Sequence, residues 1–185
     1  MIEGERAEAW VQNETMQPAT VTVTLSLKTL RFETIHTSKE QVVVKPFSAQ
    51  MILAESYQSL MTEYNQEELV CEMTVSDENG RKHTMSEVFL PYKHIKLPDP
   101  RLKYQITESD DKFVVTITAE AFAAFVELDL IEADAIFADN YFNISGNEAV
   151  TVELEKSDIW NKEKINISEL ERTLKIRSLF DTYQS

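Results

Sequence analysis

Hydrolysis without a metal needs a nucleophile, a base within hydrogen-bond reach and a group that orients the base. Three histidines, His36, His83 and His94, are the natural bases. His36 stands in Ile35-His36-Thr37, a polar position after a strand-like run. His83 falls in the arm of a hairpin, and His94 lies beside a proline-rich segment. None neighbours a glycine-flanked serine or the single cysteine. That cysteine, Cys71, follows Leu69-Val70 and reads as a small buried hydrophobe. No catalytic residue is assigned on this pattern.

Metal chemistry finds no footing either. There is no His-x-x-x-His and no cysteine pair. Ser109-Asp110-Asp111 and Glu132-Ala133-Asp134 offer the oxygen ligands that calcium takes. Neither follows the EF-hand order, and both read as solvated loop acids. Three scattered glycines leave no phosphate-cradling loop. No metal and no cofactor is expected.

The 32 acids could supply a carboxylate pair for glycoside hydrolysis, but nothing marks two of them. Aromatic rings are the remaining candidates for contact with a ligand or a neighbouring domain. Trp160, in Ser157-Asp158-Ile159-Trp160-Asn161, reads as a loop residue able to stack on a sugar ring. Trp10 alternates with Ala9 and Val11 and reads as packing at a sheet face or domain contact. Tyr141 reads as partly covered, its hydroxyl on a polar partner, at a domain contact. Asn13, Asn143 and Asn166 head Asn-x-Ser/Thr triplets, which stay bare in a protein without a signal peptide.

Charge narrows the partners. Residues 1–98 carry a net −5 and residues 99–185 a net −9, together −14. Both halves repel phosphate, so neither nucleic acid nor an anionic membrane surface is an expected partner. The opening Met1-Ile2-Glu3-Gly4-Glu5-Arg6 is acidic, and no run approaches a membrane span. The expected location is the cytoplasm. A parent's signal peptide would lie upstream if this chain is a piece of something longer.

The elements that position these residues are strands. Val21, Val23, Leu25 and Leu27 alternate with polar neighbours, the mark of a strand with one buried face. Leu69 to Val75 and His83 to Leu90 flank Asp77-Glu78-Asn79-Gly80, a strong hairpin signal. Lys96-Leu97-Pro98-Asp99-Pro100 blocks helix and central strand, and reads as a stiff linker. Alternation restarts beyond it. Tyr104-Ile106 and Phe113-Val115-Ile117 flank a turn at Glu108–Asp111, and Phe125-Glu127-Asp129 alternate with Val126, Leu128 and Leu130. Asp139-Asn140 should turn the chain, with Phe142 entering the core. Ser168 is placed to cap a brief helix from residue 169. Leu174, Ile176 and Leu179 suggest a last strand.

The expected fold is all-β: two consecutive immunoglobulin-like β-sandwich domains, residues 1–97 and 98–185, without a disulfide. One larger sandwich is the alternative.

Particular stretches sharpen this. Ala138-Asp139-Asn140-Tyr141-Phe142-Asn143-Ile144-Ser145-Gly146-Asn147-Glu148, followed by Val150-Thr151-Val152, resembles the C-terminal immunoglobulin-like domain of the β-mannosidase branch of glycoside hydrolase family 2. Ser145 stands where that family has proline, and Asn147 follows Gly146, which makes a looser turn. The tail Leu174–Tyr183, the join Lys93–Pro100 and the opening Ala9–Thr15 are similar to the same family. The resemblance implies the two sandwiches that follow a catalytic barrel in one polypeptide. The family's acid/base and nucleophile glutamates lie in that barrel, and no segment here matches them. The chain is thus expected to be a non-catalytic accessory region, inactive by itself. Its partner would be the barrel of the parent, a retaining exo-enzyme releasing terminal β-linked mannose. A free-standing carbohydrate- or protein-binding module is the alternative, with glycan as partner and Trp160 and loop acids as its site. A stand-alone enzyme is the third reading, which the empty motif search disfavours.

Overall fold

Threonine, serine and lysine alternate with Val21, Val23, Leu25 and Leu27, and the four apolar side chains are buried on one face. In the computed structural model, which describes residues 2–160 and 165–183, the chain divides into two units, Met1–Lys96 and Leu97–Ser185. Every strand pairing is antiparallel among the described residues.

The first unit contains β1 (Ile2–Glu3), β2 (Arg6–Asn13), β3 (Ala19–Thr29), β4 (Thr34–Val44), β5 (Ser48–Ser56), β6 (Leu69–Asp77) and β7 (Lys82–Val88). One sheet runs β1-β2-β5 and the other β4-β3-β6-β7. Ala7 and Ala9 from β2 meet Val44, Leu69, Cys71 and the buried face of β3. Tyr57 lies within this core and packs edge-on against Phe89, ring centres 5.9 Å apart.

The turn from β6 to β7 closes as its residues dictate. Gly80 takes φ +79°, and the Asp77 carboxylate accepts the Asn79 and Arg81 N–H groups at 2.9 and 2.8 Å. Those bonds, Arg81 first, hold the Asp77 carboxyl below its usual range. His36 lies inside β4 rather than after a strand. The strand is mostly polar from Thr34 to Gln41 because it forms one edge of its sheet.

The second unit contains β8 (Lys103–Glu108), β9 (Lys112–Thr118), β10 (Ala123–Leu130), β11 (Asp134–Ala135), β12 (Phe142–Ile144), β13 (Val150–Glu155), β14 (Ile159–Trp160), β15 (Leu174–Arg177) and helices α1 (Ile167–Thr173) and α2 (Leu179–Thr182). Sheet β13-β9-β8 faces sheet β12-β10-β15 across a core of Phe113, Val115, Ile117, Val126, Leu128, Val152 and Leu154. β11 and β14 form a two-stranded ladder.

Four expectations change here. Asn166, not Ser168, caps α1: its side chain accepts the Glu169 N–H at 3.0 Å, and the Glu169 carboxylate reaches back to the Asn166 N–H. Leu179 opens α2 rather than extending β15, with the Ser178 N–H donating to Asp181 at 2.7 Å. Trp160 belongs to β14, paired with Asp134, and not to a loop. Phe142 is only half-buried, and Ile144 and Phe137 fill the core instead. β12 is three residues long and an edge strand, so Phe142 sits at its first, least covered position.

No helix among the described residues is long and apolar enough to cross a membrane.

Candidate functional site

β4 and β5 bring together a constellation that resembles a nucleophile with a base and an acid. His36 Nε2 lies 3.2 Å from the Ser38 hydroxyl and 3.9 Å from a Glu55 carboxylate oxygen. Ser38 donates its proton to the other Glu55 oxygen. A working triad places the acid on the far imidazole nitrogen and leaves the hydroxyl facing the near one. Here serine and carboxylate crowd the same nitrogen, and the hydroxyl proton is committed to the carboxylate. The cluster is a polar clasp between strands. Sequence spacing could not reveal it, because Glu55 arrives from another strand.

A cavity of about 190 Å³ in the first unit is lined by Leu25, Cys71, Met73 and Met85, with Glu8 and Glu87 at its polar side. Burial pushes the Cys71 thiol up to about 11, so it stays protonated and a poor nucleophile at neutral pH. No imidazole lines this cavity. His83 is exposed on β7 and His94 is exposed in a short turn of helix.

The acidic stretches carry protein partners where a cation would have to sit. Lys156 donates to the Ser109 and Asp110 carbonyls at 2.8 and 3.3 Å, and pairs with Glu108 at 2.8 Å. Glu132 grips Arg172 through two bonds of 2.7 Å each. Among the described residues no group of three or more metal-ligating side chains converges.

The sequon asparagines hold the backbone. Asn13 is buried and donates to the Gln17 and Val44 carbonyls at 2.8 and 3.1 Å. Asn143 accepts the Phe125 N–H at 2.9 Å, and Asn166 caps α1.

The three aromatic candidates are all on the surface. Trp10 is 50% exposed, opposite Met51 across β2 and β5, with its indole N–H on Glu8 at 3.0 Å. A register shift between Ala9 and Trp10 marks a bulge there. Trp160 is 44% exposed and Tyr141 61% exposed. Tyr141 precedes β12 in left-handed backbone, φ 62°, so strand alternation does not decide where its ring goes. Its hydroxyl donates to Glu127 at 3.0 Å. Glu127 also accepts from Arg177 Nε. Arg177, and then Tyr141, holds the Glu127 carboxyl below its usual range, while Glu127 raises both partners. No hydrogen bond or ring contact among the described residues joins Trp160 to Tyr141. The sequence signalled Tyr141 but gave no sign of Glu127 or Arg177, which cross-strand register supplies.

Residues 5–94 match the family described as a Mannosidase Ig/CBM-like domain, and residues 97–182 match the Ig-fold domain family of mannosidases. No curated protein matches the chain in sequence. Among solved structures, the β-D-mannosidase of Dictyoglomus thermophilum superposes with a TM-score of 0.78 at 15% identity, over 97% of this chain and 21% of that one. The exo-chitosanase CsxA of Amycolatopsis orientalis superposes with a TM-score of 0.57 at 10% identity, over 92% of this chain and 24% of its own. At these identities the likeness is one of fold. This chain spans about a fifth to a quarter of the length of those enzymes.

Proposed function

The chain consists of two consecutive immunoglobulin-like domains of the mannosidase type, one from each matched family, and from that premise we propose that it is the non-catalytic C-terminal accessory region of a glycoside hydrolase. The order of the two family matches along one short chain carries this reading. Its partner is then the catalytic barrel of the same polypeptide, which the sandwiches brace.

The finer reading is a β-mannosidase of glycoside hydrolase family 2, a retaining exo-enzyme acting on terminal β-linked mannose. It is supported by the Asp139-Asn140-Tyr141-Phe142 element and by the mannosidase among the similar structures. The Asp-Asn-Tyr-Phe element has a structural part in this account. Asn140 both accepts from the Leu128 N–H and donates to the Leu128 carbonyl, each at 2.9 Å, and so stitches its loop to β10.

The test is the reading frame upstream of Ile2. A barrel carrying two strand-end glutamates, fused in frame, supports the accessory-region reading. A stop codon and an independent promoter immediately upstream would overturn it. The second reading, a free-standing binding module, would then take its place, favoured by the exposed Trp10, Trp160 and Tyr141 rings.

A further inference from the structure

Phe125 and Tyr141 share a combination that Phe47 of the first unit also has. Both are aromatic, both are on the surface at 42% and 61% exposure, and both sit in left-handed backbone, φ 51° and 62°. That conformation is costly for a bulky residue and persists only where its surroundings enforce it. They do so here. Asn143 accepts the Phe125 N–H, and the Val126 carbonyl accepts the Tyr141 N–H at 2.8 Å. The register between β10 and β12 shifts from Ala123 to Val126, a bulge of the kind that re-aims side chains. The backbone is thus built to hold two rings at the surface.

Polar groups adjoin them. Glu127 and Arg177 face each other across β10 and β15, and Asp129 faces Lys175 next along. Glu127 is bound to both Tyr141 and Arg177, which fixes the hydroxyl and the guanidinium relative to each other. Arg177 commits its Nε to Glu127, and no other hydrogen bond involves its guanidinium among the described residues. Its two Nη groups therefore remain as donors. The face holds two acids and two bases, formally neutral, in a chain of net −14.

We propose that the outer face of β10 and β15, from Phe125 and Tyr141 to Asp129 and Lys175, is a binding site for a neutral oligosaccharide. A charged ligand gains little from a face whose charges cancel in pairs. An uncharged sugar uses what the face offers. The negative face of an aromatic ring attracts the C–H side of a pyranose. Planar guanidinium and carboxylate groups exchange hydrogen bonds with sugar hydroxyls. The four strand steps from Phe125 to Asp129 span about 13 Å, enough for a short oligosaccharide rather than one ring. The site is open and wet, so binding is weak. The choice of a mannoside as probe rests on the proposed function. The chemistry of the site does not, and the upstream reading frame tests that function separately.

The experiment is an NMR titration of the full chain with β-linked mannotriose, following backbone amides, with mannose phosphate as the charged counterpart. The expected result is saturable shifts confined to β10, β15 and the Tyr141 loop, with weaker shifts for the phosphate. Tyr141→Ala should weaken binding by about tenfold or more, a loss of about 1.4 kcal/mol. Arg177→Gln should weaken it several-fold, and Tyr141→Phe, which keeps the ring, should retain most of it. Trp10→Ala and Trp160→Ala should bind as the parent chain does. The spectrum itself reports whether each variant is folded. No saturable shift in the unaltered chain, shifts centred elsewhere, or full binding by folded Tyr141→Ala and Arg177→Gln would each overturn the proposal.

Discussion

The two units reach the same architecture by different means. The first relies on length: β3 and β4 run 11 residues each, and β3 is paired along both its edges. The second relies on side chains. β12 has three residues and β15 four, and β10 is secured by Asn140 on both polar groups of Leu128 and by Asn143 on Phe125. A continuous ladder satisfies most backbone groups by repetition, and in the first unit Asn13, on the Gln17 and Val44 carbonyls, serves only the end of β2. A broken ladder passes that duty to individual asparagines, whose loss leaves named groups unpaired. The short-stranded unit is also the one whose broken ladder turns two rings outward.

The largest test of the comparison is in the second core. Phe113 is fully buried between the sheets, and Phe113→Ala should cost about 3–5 kcal/mol in urea unfolding. A loss under 1 kcal/mol would mean that this core is loosely packed.

Next in size is the asparagine clip. Asn140→Ala orphans the N–H and C=O of Leu128 and should cost about 2–3 kcal/mol. Its counterpart in the first unit is the Ser26 hydroxyl, 3.1 Å from Thr37 across the long β3–β4 ladder. Ser26→Ala should cost less than about 1 kcal/mol. Equal losses at the two positions would erase the distinction between ladder and stitch.

Tyr57 should show the opposite sign. Its buried hydroxyl lies beside the Cys71 thiol and finds no hydrogen-bond partner among the described residues, and burial raises its pKa. Tyr57→Phe removes a polar atom that nothing satisfies, so stability should stay level or rise by up to about 1 kcal/mol. A clear destabilisation in thermal melts would reveal a partner for that hydroxyl.

The smallest effect is one of pH. The folded Glu127 carboxyl lies below its unfolded value, so its contribution is present above about pH 4.3 and fades as pH falls through the folded value. Thermal melts of the second unit should decline below that point. Glu127→Gln should flatten the decline, while an unchanged profile would show that Arg177 gives the carboxylate no preference.

Much of this was readable in the amino acids, for physical reasons. Apolar alternation marks β2, β3 and β9 because each buries one face. Asp77-Asn79-Gly80 marks its turn because glycine accepts positive φ and aspartate caps free N–H groups. β4 was illegible over Thr34–Gln41, since a solvated edge strand needs no apolar stripe. Phe142 misled because its apolar ring says nothing of its place at the end of an edge strand. Ser168 misled as a cap because Asn166 does the same work two residues earlier. The His36–Ser38–Glu55 clasp and the Tyr141–Glu127–Arg177 network depend on which strands meet, and register of that kind lies outside local sequence.

The central proposal is that these two sandwiches support a glycosidase and do no hydrolysis themselves. It is tested most directly by release of nitrophenol from nitrophenyl β-mannoside, comparing this chain with the full-length product of its gene. The account predicts turnover by the full-length product and none by the chain alone. Turnover by the chain alone that survives repurification and disappears on substituting one of its own acids would contradict it.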